Sequence, residues 1–363
     1  MNDTKKKLTD KLDVQSSRIL TARSIEKIDR IILHIGTRKT GSTNLQNRLR
    51  DNQDILLEQG FKLVVGRGRA FKEIYLNILS GSQDWMLLIA ECLAEAKEAN
   101  ATNLIITSED LFYLNEWKIA ELVVYCKTLA KRVEVHGFFR RQDDYIESSY
   151  TQYTTAGLWV GNIQTEFEYF LKATIKNIDY KYGIDSWVAA CGKRNFKPTF
   201  YVKKDTAKIF LDNIGVVLPD PASDVSRNMR EPADLLRGTI FIGEAIADHY
   251  GMGKYRFCNL NKHFNFRENI RHPLAKAFAA TDVNTDKYWF LPRENMNVLQ
   301  YEFEEMNESL LKEFKGEHDK EFADFTRKDI KCSELGVRHM SPVSIEIVMN
   351  VLSVKLATFG KQT

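Results

Sequence analysis

One lysine, two glycines and several hydroxyl side chains fall within a short stretch near the amino terminus, residues 34–46, which reads HIGTRKTGSTNLQ. The apolar run before it, Arg30–Ile35, is typical of a buried parallel strand, and the spacing of Leu45 and Leu49 after it predicts a helix. Backbone N–H groups at a helix N-terminus, with glycines, hydroxyls and a lysine, favour binding of a phosphate or sulfate group. The alternative is a glycine turn that only joins a strand to a helix. The strand–loop–helix context favours the anion site.

The position of the lysine distinguishes between kinds of phosphate loop. A Walker A loop has lysine directly after its second glycine, whereas here Ser42 follows Gly41 and Lys39 lies two residues before that glycine. The order Lys-Thr-Gly-Ser-Thr resembles the 5′-phosphosulfate loop of the sulfotransferases that use 3′-phosphoadenosine 5′-phosphosulfate (PAPS), and the longer string is similar to the bacterial branch of that family. The resemblance implies that the donor is bound by Arg38, Lys39, Thr40, Gly41, Ser42 and Thr43.

A second segment of the same resemblance follows the apolar run Val133–Phe139. The family has an arginine at the end of a strand and a serine eight residues later, both binding the 3′-phosphate of the donor. Arg140 and Ser148 match this spacing, and a guanidinium group offers a planar set of donors that suits phosphate. Arg141 and Ser149 have the same spacing shifted by one, so the register stays open, although the bacterial-type string favours the first pair. Taken alone, the segment is more typical of a solvated helix start with charged residues, and the first loop is what favours the phosphate site.

The chemistry that the resemblance implies needs two further roles. By analogy with phosphoryl transfer, sulfuryl transfer requires stabilisation of charge on the leaving oxygen, for which Lys39 is the candidate. It also needs a base for the acceptor hydroxyl. Glu109, at the end of an apolar run, is that candidate because ligands bind at the carboxyl ends of parallel strands. The alternative is a helix cap formed by Ser108 and Glu109. His34 and His136 are interpreted as buried structural residues, and the reaction requires no metal.

Three further segments carry weaker patterns. The glycine-rich adenine segment of the animal enzymes is not recognisable here. Arg227 and Asn228 lie where bacterial relatives often have an Asn-containing motif, but the residues after them differ. Residues 66–69 and Tyr150–Trp159 supply cations and aromatics that suit an anionic glycan, although solvated loops have the same composition.

Short apolar runs alternate with segments of helical periodicity along the first two thirds of the chain. The predicted strands are residues 30–35, Phe61–Val65, Leu104–Thr107, Val133–Phe139 and Thr199–Val202. The predicted helices are residues 42–59, Trp85–Ala99, Trp117–Ala130, Leu235–His249, Asn297–Phe314 and Val343–Leu356. This alternation predicts an α/β fold with a mostly parallel central sheet flanked by helices and a helical C-terminal extension. The resemblance implies that the α/β core is of P-loop type. The expected organisation is a polar arm over residues 1–27, an α/β core over 28–235 and a helical part over 236–363.

Composition restricts the class of protein. The chain has 363 residues, 44% of them hydrophobic, and a net charge of +3, which fits a folded protein and is too mild for a generic nucleic-acid coat. Residues 1–50 nevertheless hold twelve Lys and Arg against five Asp and Glu. The five cysteines are widely spaced without a metal motif. No apolar window is long enough to span a bilayer and no signal peptide is evident, so we expect a cytoplasmic protein.

These patterns predict a sulfotransferase that transfers a sulfuryl group from PAPS to a hydroxyl or amine. By analogy with the family, the acceptor is a carbohydrate or glycolipid. One alternative is an ATP-dependent P-loop kinase in which Glu109 and Asp110 hold magnesium, and another is a degenerate nucleotide-binding scaffold without turnover. Oligomeric state stays open.

Overall fold

The structure of the protein is a computed structural model. It describes residues 26–64, 70–159, 161–201, 205–219, 233–249, 251, 260, 265–280, 290–314, 322–323 and 340–359. The predictions for the arm before residue 26, for the loop at residues 66–69 and for Arg227 and Asn228 lie outside the described residues.

A parallel sheet of five strands forms the centre of the α/β part. In chain order the strands are β1 Ile28–His34, β2 Phe61–Leu63, β3 Asn103–Thr107, β4 Ala130–Arg140 and β5 Phe196–Tyr201. Their order in the sheet is β2-β3-β1-β4-β5, and every pairing is parallel. The predicted parallel sheet is therefore confirmed. The chain first builds the sheet on one side of β1 and then crosses to the other side, so the carboxyl end of β1 lies at a topological switch point, where such sheets bind ligands.

The helices of eight residues or more, and one shorter helix that follows the first, are numbered in chain order. They are α1 Ser42–Asp51, α2 Gln53–Glu58, α3 Ala70–Ser80, α4 Asp84–Glu98, α5 Glu116–Leu129, α6 Gln142–Thr155, α7 Ile163–Thr174, α8 Tyr180–Cys191, α9 Thr206–Ile214, α10 Ala233–His249, α11 His272–Ala279, α12 Arg293–Glu313 and α13 Pro342–Phe359. The periodic segments of the sequence match α4, α5, α10, α12 and α13 to within a few residues.

The predicted single helix over residues 42–59 is two helices. The break is at Asn52, where φ is −125° and the side-chain amide donates to the carbonyl of Arg48 at 2.8 Å. An asparagine that hydrogen-bonds to the backbone in this way competes with the helical ladder. The expected glycine after the helix is present, since Gly60 has a φ of +81°, a conformation that glycine adopts without strain.

The chain divides into two compact units. The first comprises residues 1–140, 180–222 and 313–319 and contains the sheet. A buried cluster in this unit packs α1 and α9 onto the sheet, through Ile32, Leu45, Leu49, Phe138 and Phe210. Leu45 and Leu49 are four residues apart, so they share the buried face of α1. Burial of this face fixes the helix that follows the candidate anion loop.

The second unit comprises residues 141–179, 223–312 and 320–363, and its described elements are helical. The carboxylate of Glu147, on α6, accepts the backbone N–H groups of Phe290 at 2.7 Å and Leu291 at 2.6 Å. The sequence-based division at residue 235 stays a prediction. The two compact units do not follow it, since they are interleaved in sequence. No helix in the described part of the chain is both long enough and apolar enough to cross a membrane.

Candidate functional site

The loop between β1 and α1 is held by two glycines at positions that exclude a side chain. Gly36 has a φ of +89°, and a Cβ there would lie 2.6 Å from the Cα of Glu109. Gly41 has a φ of +82°, and a Cβ there would lie 2.6 Å from the hydroxyl oxygen of Thr206. Both positions therefore need glycine for conformation and for space. The loop is packed between the carboxyl end of β3 and the first residue of α9.

Hydroxyl groups inside the loop fix its shape. The Thr40 hydroxyl donates to the carbonyl of Thr37 at 2.5 Å, and the Thr206 hydroxyl donates to the carbonyl of Thr40 at 2.6 Å. The backbone N–H of Thr37 donates to the carbonyl of Phe138 at 2.7 Å. Thr40, predicted as a donor-binding residue, is 2% exposed, so its side chain shapes the loop and its contribution to an anion is limited to the backbone.

The N-terminus of α1 is open for an anion. Its N-cap is Gly41, no side chain in the described part of the chain caps it, and its first turn contains no acidic residue. The first N–H groups of a helix have no intrahelical partner and carry the positive end of the helix dipole. Ser42 is buried and Thr43 is exposed, so the two predicted hydroxyls face different surroundings.

Lys39 adds a cation that is costly to bury. Its φ is +65°, a strained value for a residue with a side chain. Burial, together with the nearby charges of Arg140 and Arg38, lowers the pKa of Lys39 from 10.5 to about 8, and the charge of Glu109 partly opposes this shift. Arg140 also donates to the carbonyl of Lys39 at 3.3 Å. The cations gather beside the open helix end, which favours a bound anion.

The guanidinium group of Arg38 is held by an acidic residue of the loop after β3. Its Nε lies 2.6 Å from Oδ1 of Asp110, and Lys72 Nζ lies 3.5 Å from Oδ2 of the same carboxylate. The guanidinium carbon of Arg38 also lies 5.0 Å from the centre of the Tyr113 ring, within the range of a cation–π contact. The sequence did not reveal these partners, because Asp110 is 72 residues away from Arg38.

Glu109 lies at the carboxyl end of β3, where its backbone packs against Gly36. Its Oε2 accepts a hydrogen bond from the side-chain amide of Gln46 at 2.9 Å. The alternative prediction of a Ser108 helix cap is wrong, because the buried Ser108 hydroxyl has no hydrogen-bond partner among the described residues. The short 3₁₀ helix that follows, Leu111–Tyr113, likewise has no side-chain cap.

Arg140 belongs to the first compact unit and Ser148 to the second. Arg140, at the end of β4, is half-buried, whereas Arg141 is 3% exposed and forms an ion pair with Asp143 at 2.8 Å. Ser148 on α6 is half-buried, whereas Ser149 is 1% exposed. In each pair the first member keeps the more accessible side chain, which favours the register with Arg140 and Ser148.

The two histidines are buried, as the sequence analysis predicts. His34 Nδ1 lies 2.8 Å from the Thr107 hydroxyl, and burial followed by the charge of His136 lowers the pKa of His34 to about 3. His136 pairs across the strands with His34 and lies 3.5 Å from Glu134, and burial lowers its pKa as well. Both rings are therefore neutral near pH 7 and belong to the core under the loop.

Comparison with known proteins gives one distant match. No protein-family model matches the chain, and no curated protein matches it. A solved structure, the sulfotransferase from Alicyclobacillus acidocaldarius, matches with 9% sequence identity and a TM-score of 0.35, over 62% of this chain and 96% of that one. A likeness of this size carries no functional argument.

Proposed function

We propose that the protein is a sulfotransferase that transfers a sulfuryl group from PAPS to a hydroxyl or amine of an acceptor. The observation that carries the proposal is the uncapped N-terminus of α1, preceded by the half-buried cation Lys39 and lying near Arg140. A doubly charged anion at this position would compensate the cations and satisfy the free N–H groups at once. In the loop Lys39 precedes Gly41, whereas a Walker A loop has its lysine directly after the second glycine. This order favours a phosphosulfate ligand over a triphosphate.

The residues present fit the donor. The loop residues Arg38–Thr43 would hold the 5′-phosphosulfate, chiefly through the backbone and Lys39. Arg140 would hold the 3′-phosphate, and Ser148 is the second residue that the resemblance implies for it. When bound, PAPS supplies an activated sulfuryl group on a phosphate leaving group.

The side chains of this chain divide the remaining work. Lys39 stabilises negative charge on the leaving oxygen, and its pKa of about 8 leaves it largely protonated at pH 7. Glu109 accepts the proton of the acceptor hydroxyl, as a carboxylate at the carboxyl end of a central strand can do. The proposal also includes a carbohydrate or glycolipid acceptor, by analogy with the family. A cytoplasmic location is part of it as well.

The kinase alternative has less support from the site. Asp110, one of the two residues expected to hold magnesium in that alternative, is engaged by Arg38 and Lys72. In addition, the lysine that a Walker A loop requires after Gly41 is replaced by Ser42. No observation favours the scaffold alternative.

The test is release of adenosine 3′,5′-bisphosphate from PAPS in the presence of sugar and glycolipid acceptors. We expect Lys39→Met and Glu109→Gln to reduce turnover by roughly 100-fold or more, because each removes a group that acts in the transition state. Lys131→Met is the matched control, since Lys131 is an exposed lysine paired with Asp29 at 2.8 Å, and it should retain turnover. Phosphate transfer from ATP and magnesium in place of sulfuryl transfer would contradict the proposal.

A further inference from the structure

Gln46 is the residue of the loop–helix segment to which the sequence patterns assign no role. It lies in the second turn of α1, four residues after Ser42, and is 9% exposed. Helical side chains tilt toward the N-terminus of their helix, so a long side chain at this position extends back toward the loop. Its amide reaches Glu109, with Nε2 to Oε2 at 2.9 Å. The bond joins two elements that are 63 residues apart in sequence.

The chemistry of the two groups fixes the direction of this bond. An ionised carboxylate only accepts, so the amide nitrogen of Gln46 must face Glu109. A hydrogen bond donated to a carboxylate is charge-assisted and favours the ionised form, which is the form that can act as a base. The charge of Glu109 also interacts with that of Lys39. Among the described side chains, Gln46 is the only one that hydrogen-bonds to Glu109.

We propose that Gln46 is a positioning residue for Glu109, which holds one carboxylate oxygen and leaves the other free to accept the proton of the acceptor. The inference rests on the proposed sulfotransferase function. In this arrangement α1 serves both substrates: its N-terminus binds the donor anion, and its second turn orients the base for the acceptor. Gly36 completes the arrangement, because the absence of a side chain there lets the loop contact the backbone of Glu109.

The test compares Gln46→Leu and Gln46→Glu with the control Asn47→Leu. Leucine removes the donor at similar volume, and glutamate places a second carboxylate beside Glu109. Asn47 is the next residue of the same helix, and its side chain accepts from Arg50 at 3.3 Å, so the control repeats the amide-to-leucine change away from Glu109. Unfolding temperature and calorimetric affinity for adenosine 3′,5′-bisphosphate are measured for every variant.

Two readouts distinguish positioning from a general structural effect. The first is the chemical shift of the Glu109 side-chain carboxyl carbon in the ligand-free protein, measured by carbon NMR of labelled glutamate and assigned with Glu109→Gln. We expect this chemical shift to change in Gln46→Leu and in Gln46→Glu, because each variant removes the amide donor from the carboxylate, and to keep its wild-type value in Asn47→Leu. The second is kcat, which should fall about 5- to 20-fold in Gln46→Leu at unchanged bisphosphate affinity.

The outcomes separate this inference from the proposed function. A wild-type Glu109 chemical shift and kcat in both Gln46 variants would overturn the positioning role, even if Glu109→Gln is inactive. A change in Asn47→Leu equal to that in Gln46→Leu would overturn it too, because the effect would then belong to the helix. Failure of the wild-type protein to bind the bisphosphate would instead overturn the proposed function, and the NMR chemical shift would still report whether Gln46 acts on Glu109. Either Gln46 variant that keeps the wild-type unfolding temperature suffices for the test.

Discussion

Replacing Lys39 with methionine should make the ligand-free protein more stable while abolishing its binding of adenosine 3′,5′-bisphosphate. The side chain is half-buried, and desolvation together with the charges of Arg140 and Arg38 lowers its pKa from 10.5 to about 8. Each pKa unit corresponds to 1.36 kcal/mol, so the charged lysine costs the folded state about 3 kcal/mol relative to the unfolded chain. Methionine keeps most of the aliphatic length without the charge. The gain in unfolding free energy at pH 7 should therefore approach 3 kcal/mol.

The dependence on pH separates this effect from a general gain in hydrophobicity. Below pH 8 both folded and unfolded wild-type chains hold the lysine proton, so the variant has its full advantage. Between pH 8 and 10.5 the unfolded state holds the proton longer than the folded state, and the stability of the wild type rises relative to the variant. By about pH 10.5 the charge-related advantage should be lost. A difference that stays constant with pH would come from methionine packing alone.

Equilibrium urea unfolding provides the measurement, with fluorescence of the buried Trp85 and Trp187 as the signal from the sheet-containing unit. The control Lys131→Met should not gain stability, because Asp29 raises the pKa of Lys131 and the charge is favourable there. Adenosine 3′,5′-bisphosphate at 100 times its Kd should stabilise the wild type by about 2.7 kcal/mol and Lys39→Met far less. If Lys39→Met is no more stable than the wild type at pH 7, the charge of Lys39 does not destabilise the ligand-free protein. The inference of an anion site from that charge would then be wrong.

Three further predictions follow from the same geometry. Arg140→Ala should weaken bisphosphate binding by about 10- to 100-fold in calorimetry. Arg141→Ala should chiefly lower the unfolding free energy, by about 3 kcal/mol, because it removes one partner of the buried ion pair with Asp143; the reverse pattern would shift the register by one. Gly41→Ala should lower the unfolding free energy by about 2 kcal/mol or more and weaken bisphosphate binding. The control is Gly81→Ala, because Gly81 also has a positive φ but an added Cβ there would meet no atom within 4 Å. This control should lose only about 1 kcal/mol and keep its binding. The unfolding free energy of the wild type should fall as pH drops from 6.5 toward 3, because the pKa of His34 is lowered to about 3 and the unfolded chain takes up the proton first. His34→Phe should lose roughly 4 kcal/mol less over this range. Equal losses in the two proteins would show that His34 does not titrate on unfolding.

The sequence predicted the parts of the structure that depend on local pattern. The strands β1 to β5 were found from short apolar runs, and the loop of residues 36–41 was found from glycines and hydroxyls between a strand and a helix. These signals lie within a few neighbouring residues, where the periodicity of burial decides the element. The break at Asn52 was missed because a side-chain bond to the backbone leaves the apolar spacing of Leu49 and Leu56 intact.

The contacts that shape the candidate site were not predictable in this way. Gln46 and Glu109 meet across 63 residues, and Thr206 and Thr40 across 166. Such pairs depend on which strands are neighbours and on the register of the sheet, neither of which a single sequence contains. The i, i+4 spacing of Ser42 and Gln46 was visible, but it gave no indication of what the glutamine would face.

Calorimetric titration of the wild-type protein with adenosine 3′,5′-bisphosphate, with AMP and with ATP and magnesium is the decisive measurement for a PAPS site. It needs no acceptor and depends on the 5′- and 3′-phosphate sites together. For a PAPS site we expect a Kd in the micromolar range for the bisphosphate, about −8 kcal/mol. Binding of AMP and of ATP should be at least about 100-fold weaker, because each lacks the 3′-phosphate expected to pair with Arg140. Equal or tighter binding of ATP with magnesium would contradict it, and so would the absence of bisphosphate binding.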